Sequence, residues 1–373
     1  MAYGIDVKKK IMIAILAVAA IGAEVILEGT KIQKEGRYYE LKSEATTLAA
    51  QGFEVLRKYR LTESAVLDLV NDPAGTGLIG PEHSLITNAR GVLTAKLTSL
   101  NPNFAAIIVE YFGDAGLKNG DAVGLGASGS FPGVNICVYA AMQAMGLHPI
   151  PITSVGASNW GANDPAFTWL DMERVLEEEG VFQFHSAAAS PGGTNDMGRG
   201  LSPEGRRLIW EAIDRNHIQT LSSDNIEESI AKRMQIYESE AGEKGIKAYV
   251  NIGGGIASLG SAQNRALIPT GLSTDLGLRN FPRKGVIIQM ALSGVPVIHL
   301  NQISDIALSH GLPVAPEYMP EVGEGEIFSK EAYNIWVTAG LLVAYLILTF
   351  AFITPGFRRR ILGQKSPSPS AAG

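Results

Sequence analysis

The segment Gly124-Leu125-Gly126-Ala127-Ser128-Gly129-Ser130 sets small residues and hydroxyls in an order that serves two chemistries. It matches G-x-G-x-x-G between a strand and a helix, an arrangement in which backbone N–H groups and a helix N-terminus hold an anion. It also stands one residue from a nucleophile elbow, with Ser130 where G-x-S-x-G has its last glycine. Ser128 is then either a nucleophile at a strand-to-helix turn, with the following amide as oxyanion donor, or a serine that caps the helix. A dinucleotide site would need an acidic residue about 20 positions on. The next strand ends instead in Thr153-Ser154-Val155-Gly156, so a nicotinamide enzyme is rejected and no cofactor is expected.

Groups to activate a serine are few. His299 ends the apolar strand Val297-Ile298-His299-Leu300, and His185 lies in Phe184-His185-Ser186. Each faces either a crevice or the core. Asp196 closes the turn-rich loop Ser190-Pro191-Gly192-Gly193-Thr194-Asn195 and is a candidate to orient a histidine. The catalytic candidates are thus Ser128, His299 and Asp196. A second glycine loop, Gly253-Gly254-Gly255, follows Asn251 in another apolar strand. Gly124, Gly126, Gly129 and Ser130 in the first loop, with Asn251, Gly253, Gly254 and Gly255 in the second, are the expected ligand-binding positions. No His, Cys and carboxylate set has metal spacing, and Glu177-Glu178-Glu179 reads as a solvated helix end.

Those loops need a frame. Residues 122–124 read as a strand, 133–145 as a helix and 149–155 as a second strand; the order returns at 248–252, 286–292 and 297–300. Both units carry a Gly-x-Pro or Gly-x-x-Pro step before the second strand, Gly146-Leu147-His148-Pro149 and Gly294-Val295-Pro296. Alternating strands and helices predict an α/β fold, a mostly parallel sheet with helices on both faces, built from two βαβ pseudo-repeats at 104–180 and 245–310. Two glycine loops at strand ends would meet at the crevice where open α/β sheets bind ligands. Upstream, Tyr38, Leu41, Ala45, Leu48, Ala49, Phe53, Leu56 and Arg57 recur at helical spacing, which makes 28–100 a membrane-proximal helical region.

Both ends are apolar. Residues 11–27 follow Lys8, Lys9 and Lys10, and residues 334–353 precede Arg358, Arg359 and Arg360. Basic residues stay on the cytoplasmic side, so residues 1–10 and 354–373 are expected inside and the α/β domain at 101–320 outside. Glu24 fits the first span near the interface. A signal peptide cut after Ala20-Ile21-Gly22 is the alternative for the first segment, and it too leaves the middle outside.

The chain has 31 basic and 37 acidic residues, net −6; residues 1–10 carry +2 and 358–373 carry +4, which leaves −12 for the rest. An acidic body argues against nucleic acid, and an anionic ligand would have to be held locally. The single cysteine, Cys137, precludes an intrachain disulfide and reads as a small core residue.

Longer strings add a resemblance. Asp72-Pro73-Ala74-Gly75-Thr76-Gly77-Leu78-Ile79-Gly80, Asn101-Pro102-Asn103-Phe104-Ala105-Ala106, Gly129-Ser130-Phe131-Pro132, Ser154-Val155-Gly156-Ala157-Ser158 and Phe167-Thr168-Trp169-Leu170-Asp171-Met172-Glu173 carry it. Through them the chain resembles the bacterial poly-γ-glutamate system protein family over nearly its whole length, both anchors included. The resemblance implies a place in the bacterial plasma membrane beside the machinery that makes and exports poly-γ-glutamate, as capsule or released polymer. Its implied partners are a poly-γ-glutamate synthase membrane complex, the anionic polymer and the lipid bilayer. It supplies no catalytic residue. Three classes stay open: an assembly or export component, a serine-type hydrolase or transferase of the polymer, and a carboxylate-binding module without reaction.

Overall fold

The computed structural model describes residues 7–63, 67–276 and 280–354, with side chains from Lys10 onward. The side chains of Lys8 and Lys9, and Arg358, Arg359 and Arg360 entirely, lie outside the described residues. The chain divides into two compact units: Gly36–Phe328, and the two ends Met1–Glu35 with Ser329–Gly373.

In the terminal unit a helix over Val7–Gly29 lies against a helix over Ile335–Ile353. Strand Ile32–Glu35 pairs antiparallel with Ser329–Ala332, from Ile32 opposite Ala332 to Glu35 opposite Ser329. Both helices contain a stretch long and apolar enough to cross a membrane, Lys10–Gly29 and Ile335–Ile353. Asn334 caps the second, its Oδ1 accepting from the Trp336 amide at 3.0 Å. Where the first helix meets its strand, Lys31 pairs with Glu28 at 2.7 Å and Tyr333 Oη donates to Glu28 at 2.6 Å.

The Gly36–Phe328 unit is α/β, built on a seven-stranded sheet. Its strands are β1 (Ala122–Ser128), β2 (His148–Ser154), β3 (Ala188–Ser190), β4 (Gln219–Thr220), β5 (Ile246–Ile252), β6 (Gly271–Ser273) and β7 (Val297–Leu300). The spatial order is β6-β7-β5-β1-β2-β3-β4, and every pair is parallel except β6 with β7. Val123, Leu125, Ala127, Val250 and Ile298 face a layer of helices α1 (Tyr39–Thr62), α2 (Leu93–Thr98), α3 (Phe104–Asp114), α4 (Pro132–Ala144) and α5 (Trp169–Glu178). Past α6 (Pro203–Arg215), the opposite face is covered by α7 (Ile226–Ala241) and α8 (Val286–Leu292), which pack on Ala122, Ile150, Tyr249 and Val297. A final helix, α9 (Ile303–Ser309), follows β7. Burial on both faces is why the central strands β1, β2, β5 and β7 read as largely apolar runs.

Three details bear on these expectations. Within the region 28–100, α1 buries Ala45, Ala49, Phe53 and Leu56 in the main core against α3 and α4. Gly124 and Gly126 lie inside β1, not in a loop. A Cβ at Gly124 would stand 3.2 Å from the rings of Tyr237 and Tyr249, and one at Gly126 would stand 2.6 Å from Tyr249 Oη. Their missing side chains make room for two tyrosines, which pack edge to face at 5.5 Å. The second pseudo-repeat, finally, contains an extra element: between β5 and β7 the chain adds β6 as an antiparallel edge. Gly146 and Gly294 both end their helices in the left-handed region, at φ 61° and 78°, ahead of Pro149, the second residue of β2, and Pro296, just before β7.

Candidate functional site

A cleft of about 470 Å³ opens where β1, β2, β3 and β7 end. Ser128 and Ser130 come from the end of β1, Ser154, Gly156 and Ser158 from that of β2, and Asn301 from that of β7. Gly192, Gly193, Thr194 and Asp196 come from the loop after β3, and Gly254 and Gly255 from the loop after β5, with Arg265 beyond it. The segment Asn88 to Val92 forms the remaining wall. All the strand ends are carboxyl ends, the side on which open α/β sheets hold their ligands.

The two glycine loops do converge. A Cβ at Gly253, where φ is +77°, would lie 3.6 Å from the Phe131 ring and 3.8 Å from Ser128 Oγ. Gly129 has no room for a side chain either, since a Cβ would fall 2.4 Å from the Val155 carbonyl oxygen. Gly254 meets Arg265, whose Nη2 would be 2.7 Å from a Cβ there. Gly255 faces open space.

Ser128, His299 and Asp196 are not assembled into a triad. Ser128 Oγ accepts from the Ser130 amide at 3.2 Å, a local turn. His299 is buried, and its Nδ1 faces the Asn251 side-chain amide nitrogen at 2.9 Å; that nitrogen also donates to the Gly253 carbonyl at 2.8 Å. Burial, with Arg265 adding repulsion, lowers the His299 pKa to about 4, so the ring is neutral at pH 7. Asn251 thus binds the second loop through its backbone. Asp196 orients no histidine: it accepts from Arg233 at 2.8 Å, from Ser190 Oγ at 2.8 Å and from Ser229 Oγ at 2.5 Å. Arg233 also donates to Ser190 Oγ at 2.7 Å. Side-chain exposures of 2% and 3% make this a fully buried ion pair beneath the cleft. His185 is elsewhere, half exposed and 3.1 Å from Glu177. Cys137 is core, and burial pushes its thiol pKa up.

Several of the longer strings serve the scaffold. Asp72 Oδ2 accepts from Thr76 Oγ1 at 3.0 Å and from the Gly77 amide at 2.8 Å, which closes that turn. Thr168 and Asp171 form a capping box on α5, and the buried Glu173 accepts from Trp169 Nε1 at 2.9 Å and from Ser186 Oγ at 2.9 Å. Of Ser154-Val155-Gly156-Ala157-Ser158, by contrast, Ser154, Gly156 and Ser158 line the cleft, while Val155 and Ala157 are buried.

Sequence reasoning missed Lys96, Ser158, Arg90, Arg265 and Arg233. Lys96, on α2, is 1% exposed; its Nζ donates to the Ser130 carbonyl and lies 2.8 Å from Ser158 Oγ. Burial lowers its pKa to about 7. Arg90 and Arg265 are exposed in the cleft, and neither has a carboxylate partner among the described residues. Ser158 was within sight, as the last residue of a string singled out for other reasons. No family model, no curated protein and no solved structure matches the chain.

Proposed function

We propose that this chain is a membrane-anchored accessory component of poly-γ-glutamate production and export, and that its cleft holds the polymer's carboxylates on the outer side of a bacterial plasma membrane. The observation that carries the binding half is the charge of the cleft. Asp196 is neutralised by Arg233 directly beneath it, while Arg90 and Arg265 stand in the same cavity with no carboxylate on them among the described residues. A chain whose middle carries −12 thus keeps a local cationic site, the arrangement needed to take a carboxylate without attracting polyanions generally.

The membrane half rests on the terminal unit. Pairing of Ile32–Glu35 with Ser329–Ala332 brings the adjoining ends of both apolar helices to one level. Two spans tied in this way return both termini to the same side, and the triplets Lys8 to Lys10 and Arg358 to Arg360 select the cytoplasm. The choice of polymer rests on the resemblance of the strings quoted above. Deleting the gene and measuring polymer amount, chain length and cell attachment tests the assignment. A defect in any of the three with the synthase still expressed is expected; unchanged polymer in all three contradicts it.

A further inference from the structure

Gly36–Phe328 buries two lysines to the same degree, Lys42 and Lys96, each 1% exposed. Lys42 is held as buried lysines usually are: its Nζ lies 2.5 Å from Glu110 Oε2 and donates to the Ile327 carbonyl at 2.9 Å. Lys96 has only neutral partners among the described residues. They are the Ser130 carbonyl, Ser158 Oγ at 2.8 Å, and the Phe131 ring with its centroid 3.9 Å from Nζ. A buried ammonium without a counter-charge is costly, and the amine escapes the cost by shedding its proton. The neutral amine has two N–H groups and one lone pair. One N–H serves the Ser130 carbonyl, and at 2.8 Å from Ser158 Oγ the amine can either donate its second N–H or, in the reactive arrangement, turn its lone pair to the Ser158 hydroxyl proton.

Ser158 is also fixed from the other side. Its backbone N–H donates to Ser130 Oγ at 3.1 Å, and it pairs with Ala89 in the short parallel ladder of Thr87–Ala89 with Ala157–Ser158. The other cleft serines are differently engaged. Ser128 accepts from a backbone amide, Ser130 accepts from Ser158, and Ser154 lies among Asp196 and Arg233. Ser158 alone of the four meets a base.

We propose that Ser158 and Lys96 are a serine–lysine nucleophile pair that cleaves or transfers an amide-linked acyl chain bearing carboxylates. Lys96 Nζ takes the hydroxyl proton as Ser158 Oγ bonds to the carbonyl carbon; the C–N bond then breaks and Nζ–H returns that proton to the leaving amine. The resulting ester is opened by water, or by a second amine, whose proton passes to Nζ and back to Ser158 Oγ. The substrate class rests on the reading that the cleft holds carboxylates through Arg90 and Arg265; the pair itself rests on the Ser158 and Lys96 geometry.

The test is labelling of the full chain in detergent with a fluorophosphonate, followed by mass mapping of the adduct. An adduct on Ser158 in the wild type, absent from Ser158→Ala and at least about 100-fold slower in Lys96→Met, is expected. No adduct, an adduct on Ser128 or Ser130, or undiminished labelling of Lys96→Met overturns the pair. If Lys96→Met does not fold, the wild-type pH profile decides. The labelling rate should rise about tenfold per pH unit up to about 7 and then level off; a rate still climbing at pH 9 overturns the pair. Retention of poly-γ-glutamate is measured on the same samples. Polymer bound with no Ser158 adduct sinks the pair and leaves the binding reading intact, and a Ser158 adduct without polymer binding does the reverse.

Discussion

Asp196 and Arg233 face each other at 2.8 Å under the cleft, both side chains almost wholly out of water. Removing one partner leaves the other charge buried and unpaired, at a cost of about 3–5 kcal/mol. Asp196→Asn is therefore expected to lower the melting temperature sharply, and far more than Glu178→Gln, whose partner Arg174 sits on an exposed helix face. Equal melting temperatures for the two variants, read by circular dichroism, would refute the buried pair as a structural anchor.

The glycines separate into two kinds. Gly126→Val should destabilise the domain by about 1–3 kcal/mol or more, because the new Cβ would lie 2.6 Å from Tyr249 Oη and 3.0 Å from Ser258 Oγ. Gly255→Ala meets nothing within 4 Å and keeps an ordinary backbone at φ −57°. It should leave stability within about 0.5 kcal/mol. Protease resistance and chemical denaturation check both. A Gly126→Val protein as stable as the wild type would contradict the packing described for β1.

Lys96 should make stability depend on pH with a definite sign. Its pKa falls from 10.5 to about 7 on folding through burial. Between those values the unfolded chain holds a proton that the folded chain lacks, so stability rises with pH across the window, by up to about 1.4 kcal/mol per unit. Below pH 7 both states are protonated and the whole cost is present. The groups touching Lys96, the Ser130 carbonyl, the Ser158 hydroxyl and the Phe131 ring, do not titrate there. The charged groups on the neighbouring elements, Arg90 in the cleft and Asp305 on α9, which packs on α2, are exposed to solvent. Thermal melts at pH 7 and 9 should show the wild type gaining on Lys96→Met; parallel curves would mean that Lys96 is charged throughout.

Much of the sheet was legible from sequence, because central parallel strands buried on both faces must be apolar and their helices must follow at fixed places. Strands β3, β4 and β6 escaped notice since Ala-Ala-Ser, Gln-Thr and Gly-Leu-Ser are too short to have a periodicity to read. The glycines of β1 looked like a loop because what fills their space, Tyr237 and Tyr249, comes from α7 and β5. The site was half visible for the same reason. Its loops announce themselves by composition, but Arg233 reaches Asp196 across 37 positions and Lys96 reaches Ser130 across 34. Only the fold makes those pairs.

Topology is open to direct measurement. On the proposed reading that both apolar helices span the membrane, reporter fusions after residue 60 and after residue 320 should read outside, and a fusion at Gly373 inside, since the strand pair ties the adjoining ends of the two helices. An inside signal at residue 320 would overturn the arrangement, and a mature chain beginning near Ala23 would restore the signal-peptide alternative.

The central claim, that the cleft takes carboxylates through Arg90 and Arg265, which have no carboxylate partner among the described residues, is tested most directly by equilibrium binding of poly-γ-glutamate to the full chain in detergent. Charge-assisted contacts of this kind are worth about 1.5–3 kcal/mol each, so Arg90→Ala and Arg265→Ala should each weaken binding about 10- to 100-fold. Raised salt should weaken the wild type as well, and Arg207→Ala, on an exposed face of α6 paired with Glu204, should change nothing. Wild-type affinity in both cleft variants, or no binding by the wild type at low salt, would contradict the account.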